Sequence, residues 1–325
     1  MRPSYQITEK ILNQVQKISE LSTQLSIEKC ELRLRKENRI RSIQSSLAIE
    51  NNSLSLEQVT DILEGRRVLG APKDIHEVQN AFEAYEQAFR LNPYHVDDFL
   101  QAHELLMRDL IKHPGQFRTS DVGVYDSAGQ VVHVGARPQF VASLVTDLLT
   151  WAKNSQMSDL VKSCVVHFEL EIIHPFEDGN GRMGRLWQSL ILSQSNSIFE
   201  WLPIESVIYK YQQGYYDALT LSNRNNDSTV FIEFMLDAIL ETLQEYQTAD
   251  TSSVSIDLTP TEAANWQKIK DYLIEHDNIT NSLTQNVIGL SQASARRYLS
   301  LFVQKGLLAV EGTTRDRYYR LLSKK

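Results

Sequence analysis

The chain has 325 residues, 42% hydrophobic and 23% charged, with 13 Gly, 8 Pro and a net charge of −8; at roughly 100–200 residues per domain that suggests two or three domains, with too little Gly and Pro for a turn-rich β-sandwich. Its two cysteines, Cys30 and Cys164, lie far apart with no CxxC pattern, which argues against a disulfide framework or a thiolate zinc site. No run of about 18 apolar residues offers a membrane span, and the opening MRPSYQITEK has no apolar leader, so the expectation is a mostly helical cytoplasmic protein.

From about 8 to 50 the chain is charged and periodic, as in ILNQVQKISELSTQL, which predicts long amphipathic helices. Ser55 and Gln58 form a capping box ahead of LEQVTDIL, and Gly65 stops that helix. Further helices are expected at 76–90 and 95–112. Val122–Val134 then alternates around Asp126-Ser127-Ala128-Gly129 and reads as a β-hairpin. Helical periodicity returns at 139–153 and 157–173, breaks at His174-Pro175, and resumes over 180–194, 205–222 and 228–247. The polar, aperiodic stretch 248–260 reads as a linker between domains.

The densest cluster of special residues is HPFEDGNGRMGR, His174 to Arg185, between two strongly apolar helical segments. Pro175 cannot continue the first helix, and Gly179 and Gly181 permit backbone that other side chains obstruct. The next helix then starts with unpaired N–H groups and the positive end of its dipole facing the loop, an anion cradle. Arg182 and Arg185 share one face of its first turn and suit phosphate. Asp178 is a hard oxygen ligand placed for Mg²⁺, and His174 has a pKa suited to accepting a proton near neutrality. Together these make a phosphoryl- or nucleotidyl-transfer kit. Gly179, Gly181 and Gly184 also satisfy GxGxxG, but the preceding segment is helical and no βαβ unit surrounds it, so a dinucleotide fingerprint is ruled out.

HPFEDGNGRMGR resembles the full signature of Fic-domain proteins, with no departure at a fixed position. GQFR at 115–118 and the following hairpin resemble the Fic flap, and Tyr215-Tyr216, Ala218-Leu219 and Asn223 resemble the adenine-side segment. The resemblance implies a helical bundle bearing one β-hairpin flap, occupying residues 96–247 after an N-terminal helical region, 1–95. It implies transfer of AMP from ATP to a Ser, Thr or Tyr hydroxyl of a protein target, the chain itself among the candidates. His174 would deprotonate the acceptor, and Asp178 would hold Mg²⁺ or Mn²⁺. The backbone of Gly179–Gly181 would cradle the phosphates together with the Asn180 side chain. Arg182 and Arg185 would hold the outer phosphates, Met183 and Gly184 would complete the nucleotide-binding stretch, and Phe176 would anchor the loop. Tyr215, Tyr216 and Asn223 would lie on the adenine side. Val132, His133, Val134 and Gly135 would pin the target segment by strand-like pairing, with His133 itself a surface residue.

Ser46 to Asn51, SLAIEN, closes a helix with Ser46 and Glu50 on one face. Beside the Fic signature it resembles the family's inhibitory motif, (Ser/Thr)-x-x-x-Glu-(Gly/Asn). Glu50 would then pair with Arg185 and compete with the γ-phosphate.

Residues 291–325 hold eight Lys or Arg and two Asp or Glu, a net +6 that leaves −14 on residues 1–290. The order from 261 is helix, short helix, helix capped by Ser291, and a hairpin turning at Gly312-Thr313-Thr314. It resembles the winged-helix modules at the C-terminus of many bacterial Fic proteins. Trp266, Ile269 and Leu273 would share one face, and Tyr298, Leu299, Leu301 and Phe302 would pack the third helix. Gln292, Ser294, Arg296 and Arg297 would face outward, with Arg315 and Arg317 in the wing, either on DNA or on another partner. Two functions therefore stand open: an autoinhibited AMP-transferase, or a DNA-binding regulator whose Fic site senses nucleotide. A homodimer is open as well.

Overall fold

A computed structural model describes residues 2–27, 32–125, 131–252, 259–312 and 317–321. Cys30, the hairpin turn at 126–129, the wing turn at 313–314 and Arg315 lie outside them. The chain divides into two compact units, residues 1–247 and 248–325.

The first unit begins with α1 (Glu9–Ile27) and α2 (Leu32–Ile49), followed by α3 (Leu56–Leu63), α4 (Pro72–Ala88) and α5 (Val96–Met107). Ser55 caps α3 through the reciprocal box with Gln58, and Gly65 follows it at φ 75°. A two-stranded antiparallel hairpin, β1 (Gly123–Tyr125) and β2 (Val131–Val134), pairs Gly123 with Val134 and Val124 with His133. Then come α6 (Pro138–Asn154), α7 (Asp159–Ile173) and α8 (Asn180–Ser193), and after a short 3₁₀ turn α9 (Ile204–Lys210), α10 (Gln212–Asn225) and α11 (Thr229–Ser252).

The helix expected over 76–90 starts earlier, at Pro72, and three further bounds differ from the periodicity. One helix expected over 205–222 is two, broken at Tyr211 (φ −113°, ψ 36°). The helix expected to 112 stops at Met107. The helix expected to end at 247 runs to Ser252, so the first five residues of the expected linker are helical.

The two helices that flank the motif are the most deeply placed. Every residue from Leu160 to Leu170 of α7 is buried, and so is every residue from Arg182 to Leu192 of α8. Little of α7 faces water, so its amphipathic signal is weak, while α8 buries polar groups, Arg182, Arg185 and Gln188, each with a partner. On one side the two helices pack a core with Phe99, Phe176, Met183 and Trp187; on the other they meet Ile11, Ile198, Phe231 and Ile239. Phe99 meets Trp187 edge-on at 5.0 Å, and the Trp187 indole N–H donates to the carbonyl of Pro93 at 3.0 Å. The loop between α7 and α8 is therefore strung between two fixed posts.

The second unit holds α12 (Pro260–Glu275), α13 (Asn281–Ile288), α14 (Gln292–Gln304) and the antiparallel pair β3 (Leu308–Glu311) and β4 (Tyr318–Leu321), with Ile279 bridging to Tyr319. Thr259, Thr280 and Ser291 each cap the helix they precede. Ile269, Leu299, Phe302 and Leu308 form its core, which Leu273, Tyr298 and Tyr319 close.

Candidate active site

α7 ends on His174, which as C-cap takes the left-handed conformation (φ 52°, ψ 63°). Few side chains tolerate that region, and histidine is among those that do. Pro175 then stops the helix, and Phe176 drops into the core, stacked at 3.6 Å on the ring of His103. The N-cap of α8 is Gly179, also left-handed at φ 84°, where a Cβ would come within 2.7 Å of Met107 Sδ. Only glycine meets both conditions. The Asn180 side chain accepts from the N–H of Phe176 at 2.9 Å and donates to its carbonyl at 3.0 Å. Its amide thus holds the loop closed across Phe176.

Two further residues complete this scaffold. His103 on α5 donates from Nε2 to the Asp178 carbonyl at 3.0 Å and accepts at Nδ1 from the Gly115 N–H at 2.9 Å. Burial pushes its pKa down to about 4, so it stays neutral in that one tautomer. Arg118, the arginine of GQFR, is buried and donates to four carbonyls: His174 at 2.6 Å, Ser120 at 2.7 Å, Ile173 at 3.2 Å and Ala136. It ties the end of α7 to the base of the hairpin. Burial depresses its pKa, and the carbonyl dipoles are what keep the charge tolerable there. Gly135 lets the hairpin pass this close, since a Cβ there would meet Arg118 Nη2 at 2.8 Å and His174 Cβ at 3.1 Å.

His174 is half-buried beneath that hairpin, and burial lowers its pKa. The imidazole is accordingly neutral, and able to take a proton, at neutral pH. His133 is not a simple surface residue. Its Nε2 donates to the Ile172 carbonyl at 2.7 Å, and its Nδ1 accepts from the Asn223 amide at 3.2 Å. It pins the hairpin to α7 and α10. Val134 beside it is exposed, while the backbone of Val132 lies in β2.

The arginines of α8 are both buried and both paired. Arg185 donates from Nε to Ser46 Oγ at 3.0 Å, and from Nη2 to the Ser46 carbonyl at 3.0 Å and Glu50 Oε1 at 2.7 Å. Burial disfavours its charge, but the Glu50 carboxylate outweighs that and raises its pKa. Glu50 is presented by a helix end of defined geometry. Asn51 is left-handed at φ 67°, its N–H bonds the Ala48 carbonyl and the N–H of Asn52 bonds the Leu47 carbonyl, both at 3.0 Å. This is a Schellman close, and it explains why the position after the glutamate takes Gly or Asn. Gln212 and Tyr216 of α10 donate to the Ile49 carbonyl at 3.0 and 3.3 Å and brace the same end. Glu50 Oε1 occupies the space a Cβ on Gly181 would need, so the carboxylate lies directly on the first turn of α8. Arg182 donates to Glu77 and to Asp178, each at 3.2 Å.

Ser46, Glu50, Asp178, Gly179, Gly181, Arg182, Arg185 and His174 thus come together around one turn. Met183, Tyr215 and Gly184 lie behind that turn. Met183 lies in the core, and the Tyr215 side chain is buried with its hydroxyl on His167 at 3.0 Å. Gly184 lets α8 approach α7, where a Cβ would meet His167 at 2.6 Å and Glu171 at 2.8 Å. Tyr216 stays exposed at the rim. Mg²⁺ suits the donor set: Asp178 is an exposed hard carboxylate at the cradle, and such an ion keeps its waters and takes phosphate oxygens with one or two protein ligands. Among the described residues no three His, Cys, Asp or Glu cluster to enclose a metal by themselves.

Residues 93–192, which hold this loop, match the Fic/DOC family. A crystal structure of a Fic family protein from Desulfovibrio desulfuricans G20 is 38% identical, with a TM-score of 0.77, over all of this chain and 99% of that one. The chain belongs to the Fic family. It is also 29% identical to the protein adenylyltransferase fic-1 of Caenorhabditis elegans, over 73% of this chain and 48% of the relative. The protein adenylyltransferase Fic of Aedes aegypti is again 29% identical, over 69% and 44%. The chain therefore spans about half the length of the curated relatives it matches. Among the described residues no helix is long and apolar enough to cross a membrane.

Proposed function

We propose that this chain transfers AMP from ATP to a hydroxyl of a protein side chain, and that Glu50 restrains it in cis. The observation that carries the reading is the pairing of Glu50 with Arg185 of α8, within an unbroken 174–185 motif. The relatives named protein adenylyltransferases support it.

The neutral His174 accepts the proton of the acceptor hydroxyl. That oxygen bonds the α-phosphorus, the bond to the β-phosphate breaks, and pyrophosphate leaves. The N–H groups at the start of α8 face the phosphates, that of Gly179 being shared with Asp178 Oδ1 at 2.6 Å, and the two guanidinium groups offset charge on the outer ones. Mg²⁺ on Asp178 would supply further charge compensation to the leaving group. The hairpin, held by Arg118 and His133, presents the exposed Val134 edge to the acceptor segment. With Glu50 on Arg185, a carboxylate stands where a phosphate is needed, and the two compete for one guanidinium.

The alternative, a DNA-binding regulator that senses nucleotide, needs the cradle and the arginines but has no use for a base set under the hairpin. For residues 259–321 we keep the winged-helix reading on the order of its elements, with Gln292, Arg296 and Arg297 exposed on α14 and Arg317 exposed before β4.

ATP labelled at the α- or γ-phosphate, given to the Glu50→Gly chain, tests the reaction class. The α-label enters protein, the γ-label does not, and His174→Ala in the same background abolishes the signal. Incorporation from the γ-position would overturn the reading.

A further inference from the structure

Arg182 and Arg185 leave one face of α8, and the end of α2 reaches both. Arg185 is held directly by Ser46 and Glu50. Arg182 is held at one remove. Its Nη1 donates to Glu77 Oε1 at 3.2 Å, and the other oxygen of Glu77 accepts from Asn52 Nδ2 at 2.9 Å. Asn52 is the residue whose N–H closes the cap of α2 on Leu47 at 3.0 Å. Its amide also donates to the Asp74 carbonyl at 3.1 Å and accepts from the Leu54 N–H at 3.1 Å. Arg182, Glu77 and Asn52 are 5%, 7% and 8% exposed, so the relay runs out of water. Arg182 Nε is buried with no hydrogen-bond partner.

We infer that Glu77 is the positioning residue for Arg182, and that Asn52 links it to the same cap that presents Glu50. The segment Glu50–Asn52 then governs both arginines, one by occupying it and the other by aiming it. A buried guanidinium has to be paired to keep its place. Asp178, half-exposed and already accepting from the Gly179 N–H at 2.6 Å, is a poor sole partner, whereas Glu77 is buried and held by Asn52. With Glu77 holding one corner of the fork, the direction of the whole guanidinium is set by that carboxylate. This rests on the proposed function in one respect only, that Arg182 faces the outer phosphates of a nucleotide.

The test is binding, independent of transfer. In the Glu50→Gly chain with Mg²⁺, calorimetry measures the Kd of α,β-methylene ATP and of AMP. Glu77→Gln is expected to weaken the triphosphate analogue about tenfold, the scale of one charge-assisted contact, and to leave AMP unchanged. Asn52→Ala acts in the same direction, more weakly. Should Glu77→Gln fail to fold, Glu77→Asp keeps the charge, shortens its reach and is read the same way. Equal weakening of the analogue and AMP would show a merely structural role and overturn the inference, as would an unchanged analogue Kd. If Glu50→Gly transfers no label while Glu77→Gln still weakens the analogue alone, the proposed reaction fails and the positioning role stands.

Discussion

Two left-handed residues carry much of the site, His174 at the end of α7 and Asn51 at the end of α2. Each turns the chain sharply at a helix C-terminus, and each stays in place because neighbours bond the carbonyls and N–H groups around it. A third residue, His103, sets the loop from behind, and its chemistry has a measurable consequence. Folded His103 titrates near 4 and an unfolded histidine near 6.5, so between those values the unfolded chain binds the extra proton. Stability therefore rises with pH across that window, by at most ~3 kcal/mol, and the gain is lost as pH falls towards 4. Urea unfolding of the native chain and of His103→Gln at pH 4.5 and 7.5 checks this. The difference between the two pH values should shrink in the variant, and an equal difference in both would exclude His103 as its source.

At the level of elements, α7 and α8 act as a pair. Gly184 allows their close approach beneath the loop, so Gly184→Ala has to push against His167 and Glu171. Overpacking of that kind costs ~1–3 kcal/mol, and urea unfolding should show a lowered midpoint with an unchanged slope. A midpoint equal to that of the unsubstituted chain would mean the helices separate freely there. The helices themselves were largely legible, because capping residues and apolar runs are local signals: Ser55 with Gln58, Ser291, and Pro175 with Gly179. The departures have tertiary causes. Nothing local marks the break at Tyr211, and the residues after it bond the Ile49 carbonyl of a helix far away in sequence. The end of α5 is likewise set from outside, where Asn80 donates to the Arg108 carbonyl at 2.7 Å and Gly179 packs on Met107. Glu77, Asn52 and His103 stayed hidden for the same reason. Each is a single polar residue in an ordinary segment, and only the packing of α4, α2 and α5 around α8 gives it a role.

Over the whole molecule, the net −8 resolves into an acidic first unit and a basic C-terminal stretch. Within the first unit the loop before α8 and the start of that helix gather a base, a cradle and two arginines; the end of α2 holds Arg185 directly and reaches Arg182 through Glu77. The motif residues were readable because the chemistry is local to twelve positions. Their packing was not: Met183 and Tyr215 are buried, Asn180 bonds the backbone of Phe176, and Gly184 lies against His167 and Glu171. The central claim is that Glu50 restrains transfer by holding Arg185. Its most direct test is the initial rate of α-label incorporation at saturating Mg-ATP, compared between the unsubstituted chain and Glu50→Gly. The account predicts a rise of at least about tenfold, the equivalent of one strong carboxylate–guanidinium contact released. Equal rates in the two chains would contradict it.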